Sequence, residues 1–373
     1  MHIVVNDIYF KGYHPHGNTF VQHLFALLIE KHPEHHFYFL VNKFDKSAYP
    51  EANNASVITI NSSIANIATL KLWDLIQLPR LLKQLKATIL IQPNGLYAYT
   101  KVPQLLVITD ILWLQTQSSI PSYIRWYHRL VINKSVSKSS QIVTLTEKIR
   151  QEMLSNFPNA SGKVSIVNAA HSPLFHPIDY DDKREVKATY TEGKEFFLYN
   201  RIIHQDKTII KLLKAFALFK RWQKSNMKLL IVGAIADNKN GILSKLSSYK
   251  YKDDVMIMHT ISNQQLAQIT AAAYAVIHPY DLDPYTLPIL SSMNCGVPTI
   301  TIYDGTIDEI GGDASLYALP NDTNSLANAL KLIYKDELFG RSITKKGLEQ
   351  SEHFNWNNAS ISFWKVLMHT ITI

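Results

Sequence analysis

Residues 280–300 of this chain, YDLDPYTLPILSSMNCGVPTI, hold its plainest chemistry. Pro288 suits a first helical turn, Leu287, Leu290 and Met293 or Asn294 recur at helical spacing, and Gly296 suits a left-handed stop before a strand at 299–303. A short helix starting at Leu287 turns its free N–H groups and positive dipole end outward, a setting that attracts phosphate. Asp283 stands just ahead of that terminus, and Ser291 lies on the helix body. Asp281 and Asp283 also spell Asp-x-Asp, a spacing that can hold a divalent metal, but a two-residue match is cheap and no metal is assigned to it. Cys295, the single cysteine, forbids an intrachain disulfide and is read as a small core residue in a reducing compartment.

A phosphate-seeking helix needs a frame, and the pattern of the chain predicts two. Its 373 residues exceed what one core usually supports, and 46% apolar content excludes a mainly disordered protein. In the first half, β-branched runs at 3–5, 37–41, 57–60, 88–92, 105–108 and 141–145 alternate with helical patterns at 19–31, 67–85, 123–137 and 147–156. From 171 to 194 the pattern fails in a polar stretch broken by Pro173 and Pro177, which reads as a crossing between domains. Strands then resume at 196–200, 228–232, 255–258, 275–278 and 299–303, with helices at 209–222, 264–273 and 287–294. The expected architecture is α/β, with two doubly wound, Rossmann-like domains at 1–170 and 196–350, a linker at 171–195, and a C-terminal helix at 351–373 turning back toward the first domain. Such domains bind ligands beyond the carboxyl ends of their strands, so two facing one another place a cleft between those ends.

The net charge of +8 is uneven: residues 1–170 carry sixteen Lys and Arg against nine Asp and Glu. That excess favours an anionic partner such as a phosphorylated lipid at a membrane face, an acidic glycan or nucleic acid; the plain alternative is a solvated, Lys-rich surface. No RNP-like aromatic motif, zinc-finger spacing or basic helix run supports nucleic acid. No run approaches the roughly 18 apolar residues of a membrane span, and the start MHIVVNDIYFKGYHP is not a signal peptide, so the expected location is the cytoplasm.

The stretch at 280–300 resembles the sugar-donor motif of the family-four retaining glycosyltransferases, which have the GT-B fold. Their pattern runs Glu-Gly-Phe-Gly-(Leu/Ile)-Pro-x-x-Glu-Ala-Met-x-Cys-Gly-Val-Pro-Val; Leu287, Pro288, Met293, Cys295, Gly296, Val297 and Pro298 match it, and Tyr285 replaces Phe. The likeness extends to the Gly17 loop and its helix, Pro93-Asn94, the Ile-Thr-Asp segment ending at Asp110, TLTEKIRQEML, FHP at 175–177, AFALFK, KLLIVG, IDEIGGDA and FNW at 354–356. By this resemblance Gly17, Thr286, Leu287, Pro288, Ser291 and Glu309 border the donor. Glu309 is otherwise read as an acid complementing a helix N-terminus.

The family's first Glu contacts the transferred sugar and its second the nucleotide ribose; Asp283 and Ser291 stand at those places. The family also sets Gly-Arg after a strand and a Lys five or six residues on, both neutralising the departing pyrophosphate. Arg201 and Lys207 fit that spacing, with Asn200 in place of Gly; the bland alternative is a solvated loop with two unrelated cations. Where many relatives carry His-Asp, this chain has Thr109-Asp110, and His14, His16 or His23 could stand in for the missing imidazole or simply pack.

The resemblance implies transfer of a hexose from a nucleoside diphosphate sugar to a saccharide or lipid-linked saccharide with retention, in surface polysaccharide synthesis. It implies no metal and no cofactor besides the donor, and the basic first half points to peripheral contact with an anionic membrane at its inner face. The alternative is a GT-B protein that has lost turnover and acts as a nucleotide-sugar or glycan binding module or partner subunit.

Overall fold

The apolar runs of this sequence become parallel strands, because a run of aliphatic residues without alternation can be buried on both faces of a sheet. A computed structural model describes residues 1–8, 17–42, 49, 52–60, 67–93, 95–109, 111, 114, 122–200, 206–233, 246–259, 261–278, 287–303 and 306–372. For residues 17–19, 67–68, 124, 206–207, 287 and 306–308 within these it describes the backbone alone.

The chain divides into two units, Met1–Ala170 with Asn355–Ile373, and His171–Phe354. In the first, β1 (His2–Asp7), β2 (His36–Asn42), β3 (Ala55–Ile60), β4 (Ile89–Gln92), β5 (Gln104–Ile108), β6 (Gln141–Thr144) and β7 (Val164–Ile166) form a parallel sheet in the order β3-β2-β1-β4-β5-β6-β7. In the second, β8 (Phe196–Asn200), β9 (Lys228–Val232), β10 (Val255–Met258), β11 (Ala275–His278), β12 (Thr299–Ile302) and β13 (Ser315–Ala318) lie in the order β10-β9-β8-β11-β12-β13, again parallel. Both sheets are doubly wound. The strand order reverses between β1 and β4 in one and between β8 and β11 in the other.

Period-two alternation sorts the second unit's core into two layers. Phe197, Tyr199, Leu229, Ile231 and Ile277 face one side, where Ile209, Leu212, Leu213, Phe216 and Phe219 of helix Asp206–Trp222 meet them at helical spacing. Phe196, Leu198, Leu230, Val232 and Val276 face the other, under helix Asn263–Ala272.

Three stretches depart from the sequence reading. Residues 171–195, expected as a linker, include helix Tyr180–Thr191, which belongs to the second unit. Asp179 caps it by accepting from the Asp182 N–H at 2.8 Å. The helix is polar along most of its length and buries only Val186 and Thr191, so its apolar stripe is too thin to read from spacing. The long helical stretch at 67–85 contains a π-turn at Trp73–Gln77, just before Pro79, which has no N–H to give to a regular ladder. The region 351–373 is not one helix: helix Glu337–His353 ends, and helix Trp356–Thr372 starts with Asn355 accepting from the Asn358 N–H at 2.9 Å. Within the first unit this last helix lies on helix Gly17–Lys31, with ring centroids of Phe20 and Trp356 5.8 Å apart and of Phe25 and Phe363 5.7 Å apart.

Candidate functional site

The short helix foreseen in the 280–300 stretch spans Leu287–Asn294. Its inner face, Ile289, Leu290 and Met293, is buried with Ile310 and Ala314. Ser292 Oγ lies 2.9 Å from the Ile289 carbonyl and 2.7 Å from Thr299 Oγ1, tying the helix body to β12. Gly296 sits at φ 66°, the Gly296 N–H reaches the Met293 carbonyl at 2.9 Å, and the Val297 N–H reaches the Ser292 carbonyl at 3.0 Å. Those two bonds are a Schellman stop, which closes the helix and turns the chain into β12. Asn294 Nδ2 donates to the Phe175 carbonyl, so the C-terminal end is held from a third direction. With its body clamped, the helix has a fixed N-terminus.

Cys295 is 1% exposed, and burial pushes its thiol up to about 12, so it is a packing residue and not a nucleophile. Ser291 is buried on the same helix, 6% exposed. Glu309 is half-buried in helix Thr306–Gly311, which follows β12. Lys207 is the second residue of helix Asp206–Trp222, which follows β8; its side chain lies outside what the structure describes. Arg201, Asp283, Thr286 and Asp110 lie outside the described residues, as do Asp281, Tyr285, Asn94, His14 and His16.

Topology joins several of these. Strands β8 and β11 are hydrogen-bonded neighbours, with Ala275 beside Phe197 and Val276 beside Leu198. The chain leaves β8 toward Lys207 and leaves β11 toward Leu287 and Pro288, so both helices begin beyond the carboxyl ends of the two strands that flank the second sheet's switch point. Asn200 and His278 are the last residues of these strands. Asn200 Oδ1 is buried and accepts no hydrogen bond among the described residues.

The first sheet has its own switch-point edge. Gly17 is the first residue of the helix after β1, and Thr109, 7% exposed, follows β5. Asn6 Nδ2 donates to Gln92 Oε1 at 2.9 Å, and the Tyr49 hydroxyl donates to Asp7 Oδ2 at 2.8 Å. Asn6, Asp7, Tyr49 and Gln92 escaped the sequence reading. The signal is nonetheless there, since the four strands that flank the switch points, IVVND, LIQ, FLYN and VIH, each end in a polar residue. His23 packs its ring 5.2 Å from that of Trp356, and burial lowers its pKa, which makes it a helix-packing residue.

Residues 179–350 match the family described as glycosyl transferases group 1. The O-antigen chain mannosyltransferase B of Escherichia coli is 23% identical over 245 residues, which cover 65% of this chain and 64% of that protein. The O-antigen chain mannosyltransferase RfbU of Salmonella typhimurium is 21% identical over 207 residues, 56% of this chain and 54% of that protein. The chain therefore matches between about half and two thirds of the length of these relatives. Among solved structures, sucrose-phosphate synthase from Thermosynechococcus elongatus superposes with a TM-score of 0.80 at 18% identity, covering 100% of this chain and 99% of that one. HepE from Anabaena, solved in complex with UDP-glucose, gives 0.74 at 13% identity, covering 99% and 100%. With two doubly wound sheets in the frame these structures share, the chain has the GT-B fold, and residues 179–350 of its second unit match the glycosyl transferases group 1 model.

Proposed function

We propose that this chain transfers a hexose from a nucleoside diphosphate sugar to a saccharide or lipid-linked saccharide acceptor, with retention of configuration, in surface polysaccharide synthesis. The observation that carries the reading is the switch point of the second unit: two helix N-termini, those of Asp206–Trp222 and Leu287–Asn294, start from adjacent parallel strands within the segment that matches the family. A diphosphate there meets the N-terminal N–H groups of both helices, with Arg201 and Lys207 supplying full charges as the leaving group develops its own. Asp283 orients the sugar, Thr286, Leu287, Pro288 and Glu309 bound the donor pocket, and Ser291 meets the ribose with a neutral hydroxyl. Gly17 and Asp110 serve the reaction from the first unit. In the step itself the bond from the anomeric carbon to the phosphate oxygen breaks on the same face on which the acceptor oxygen bonds. The acceptor proton goes to the departing phosphate, and no cofactor takes part.

The relatives named as mannosyltransferases and the neighbour solved with UDP-glucose set the donors to try first: mannosyl and glucosyl nucleotides. Calorimetry and donor-hydrolysis assays across uridine, guanosine and adenosine donors test the proposal. Binding with turnover is expected. A protein that binds a nucleotide sugar without turning it over is instead the binding module that Thr109 and Ser291, at places where the family keeps His and Glu, would favour. Absence of any nucleotide-sugar binding defeats the transferase reading and leaves a glycan binding module or partner subunit.

Among the described residues no helix is long and apolar enough to cross a membrane. Helix Ser122–Lys138 instead exposes Tyr123 (59%), Trp126 (62%) and Leu130 (58%) on one stripe, with Arg125 and Arg129 beside them. That mixture fits the proposed peripheral contact with an anionic bilayer at its cytoplasmic face. In vesicle flotation, Trp126→Ala is expected to lower the bound fraction severalfold, and added salt to lower it for the parent. Binding that ignores both overturns the membrane contact and leaves the transferase reading standing.

A further inference from the structure

At the amino-terminal end of β2, the turn that joins it to helix Gly17–Lys31 reads His32-Pro33-Glu34-His35. Pro33 pre-sets the backbone for a tight turn, closed by the His35 N–H donating to the His32 carbonyl at 3.1 Å. The turn brings the first and fourth side chains side by side. His32 Nδ1 lies 3.5 Å and His35 Nε2 3.2 Å from the same atom, Glu34 Oε1. A tetrahedral zinc ion with bonds of about 2.0–2.1 Å holds its ligand atoms about 3.3–3.5 Å apart, so both separations already match edges of such a site.

The rings are also held in place by packing on one indole. The His32 ring stacks on Trp364 with centroids 3.6 Å apart and planes 12° from parallel. The His35 ring lies nearly parallel to the same indole at 5.3 Å; its Nδ1 lies 3.3 Å from the Met1 amine, which must be neutral to accept the Nδ1 proton when Nε2 holds a metal. Both histidines are only about one-fifth exposed, while Glu34 is 58% exposed and keeps the site open to solvent. Among the described residues no other group of three His, Cys, Asp or Glu side chains converges this closely.

We propose that His32 Nδ1, Glu34 and His35 Nε2 form a three-ligand surface site for a borderline divalent transition metal, with Zn²⁺ the best fit and a solvent-facing fourth position. Two imidazoles and one carboxylate suit zinc, nickel or copper and not magnesium or calcium, which prefer all-oxygen shells. Because His32 leans on Trp364 of the C-terminal helix, an ion there also stiffens the seat of that helix on the first unit.

The test uses the full chain, stripped with chelator and titrated by calorimetry with Zn²⁺ and, separately, Mg²⁺. One Zn²⁺ per chain is expected, with no Mg²⁺ uptake. Glu34→Gln and His35→Ala are each expected to weaken Zn²⁺ binding at least about tenfold, while His353→Ala, on a different helix, leaves it unchanged. Independently, Cu²⁺ bound at His32 is expected to quench indole fluorescence, and Trp364→Phe to remove most of that quenching. Melting curves confirm that each variant is folded. No Zn²⁺ uptake by the parent, or equal uptake by a folded His32→Ala/His35→Ala double variant, overturns the site.

Discussion

An asparagine stands at or next to the end of the strand on one side of each switch point, and the two are treated differently. Asn6, next to last in β1, sends its Nδ2 across to Gln92 of β4, so it bridges the two strands where the first sheet's order reverses. Asn200, last in β8, has a buried Oδ1 with no donor among the described residues. Asn6 Oδ1 is also unmatched, but the Asn6 side chain is committed to its neighbour through the amide. A polar residue at a strand end therefore does not by itself mark a binding edge. What distinguishes structure from readiness for a ligand is whether its hydrogen-bond partners lie within the fold.

If the second edge is the donor edge, its largest sensitivity lies in the two cations that follow Asn200 in sequence, Arg201 and Lys207. Arg201→Ala and Lys207→Ala are each expected to lower kcat by about 10²–10³, the usual cost of removing one preorganised contact to transition-state charge, with little change in melting temperature. Steady-state kinetics with the best donor reads this out. Equal activity in both variants would move the diphosphate elsewhere and leave the comparison of the edges without its functional half.

The first unit offers the converse, a charge problem inside the frame. Asp74 sits in the π-turn, 7% exposed, with no partner for Oδ1 among the described residues, and burial raises its carboxyl to about 7. The folded chain holds this proton over a range in which the unfolded chain, with an ordinary Asp near 3.8, has released it. Stability linked to this group is thus fully present at low pH and is lost as pH rises from about 4 to 7, by an amount on the order of 4 kcal/mol. Asp74→Asn is expected to melt near the parent at pH 4 and well above it at pH 8. A difference that stays constant with pH would show that Asp74 is not buried in this state.

Much of this architecture was legible because one signal, the aliphatic run bounded by polar residues, encodes a parallel strand directly. The helix Leu287–Asn294 was legible through Pro288 and Gly296, whose backbone restrictions act locally. Helix Tyr180–Thr191 was not, since it holds its place through a thin stripe around Val186 and a capping Asp, features that polar loops share. Neither the Asn6–Gln92 bridge nor the convergence of His32 with His35 could be read from spacing alone. The first depends on the register of β1 against β4 across 86 positions, and the second on rings that Trp364 holds from the far end of the chain. Resemblance named Arg201, Lys207 and Asp283; sheet topology adds only where the helices that follow Arg201 and Asp283 begin.

The smallest expected effect tests the asparagines against each other. Asn6→Ala leaves Gln92 Oε1, in a residue only 1% exposed, without its donor, so it is expected to cost about 1–3 kcal/mol of stability in chemical denaturation. Asn200→Ala deletes an acceptor that has no donor among the described residues, so its stability is expected within about 0.5 kcal/mol of the parent. If the Asn200 oxygen is held for a donor hydroxyl, the same variant raises KM for the sugar nucleotide by roughly three- to tenfold, the worth of one neutral hydrogen bond. Asn6→Ala should leave KM alone once the assay is run well below its lowered melting point. Should Asn200→Ala cost as much stability as Asn6→Ala and leave KM untouched, both edges are structural. The donor must then be held by the helix termini and their charges without help from the strand ends.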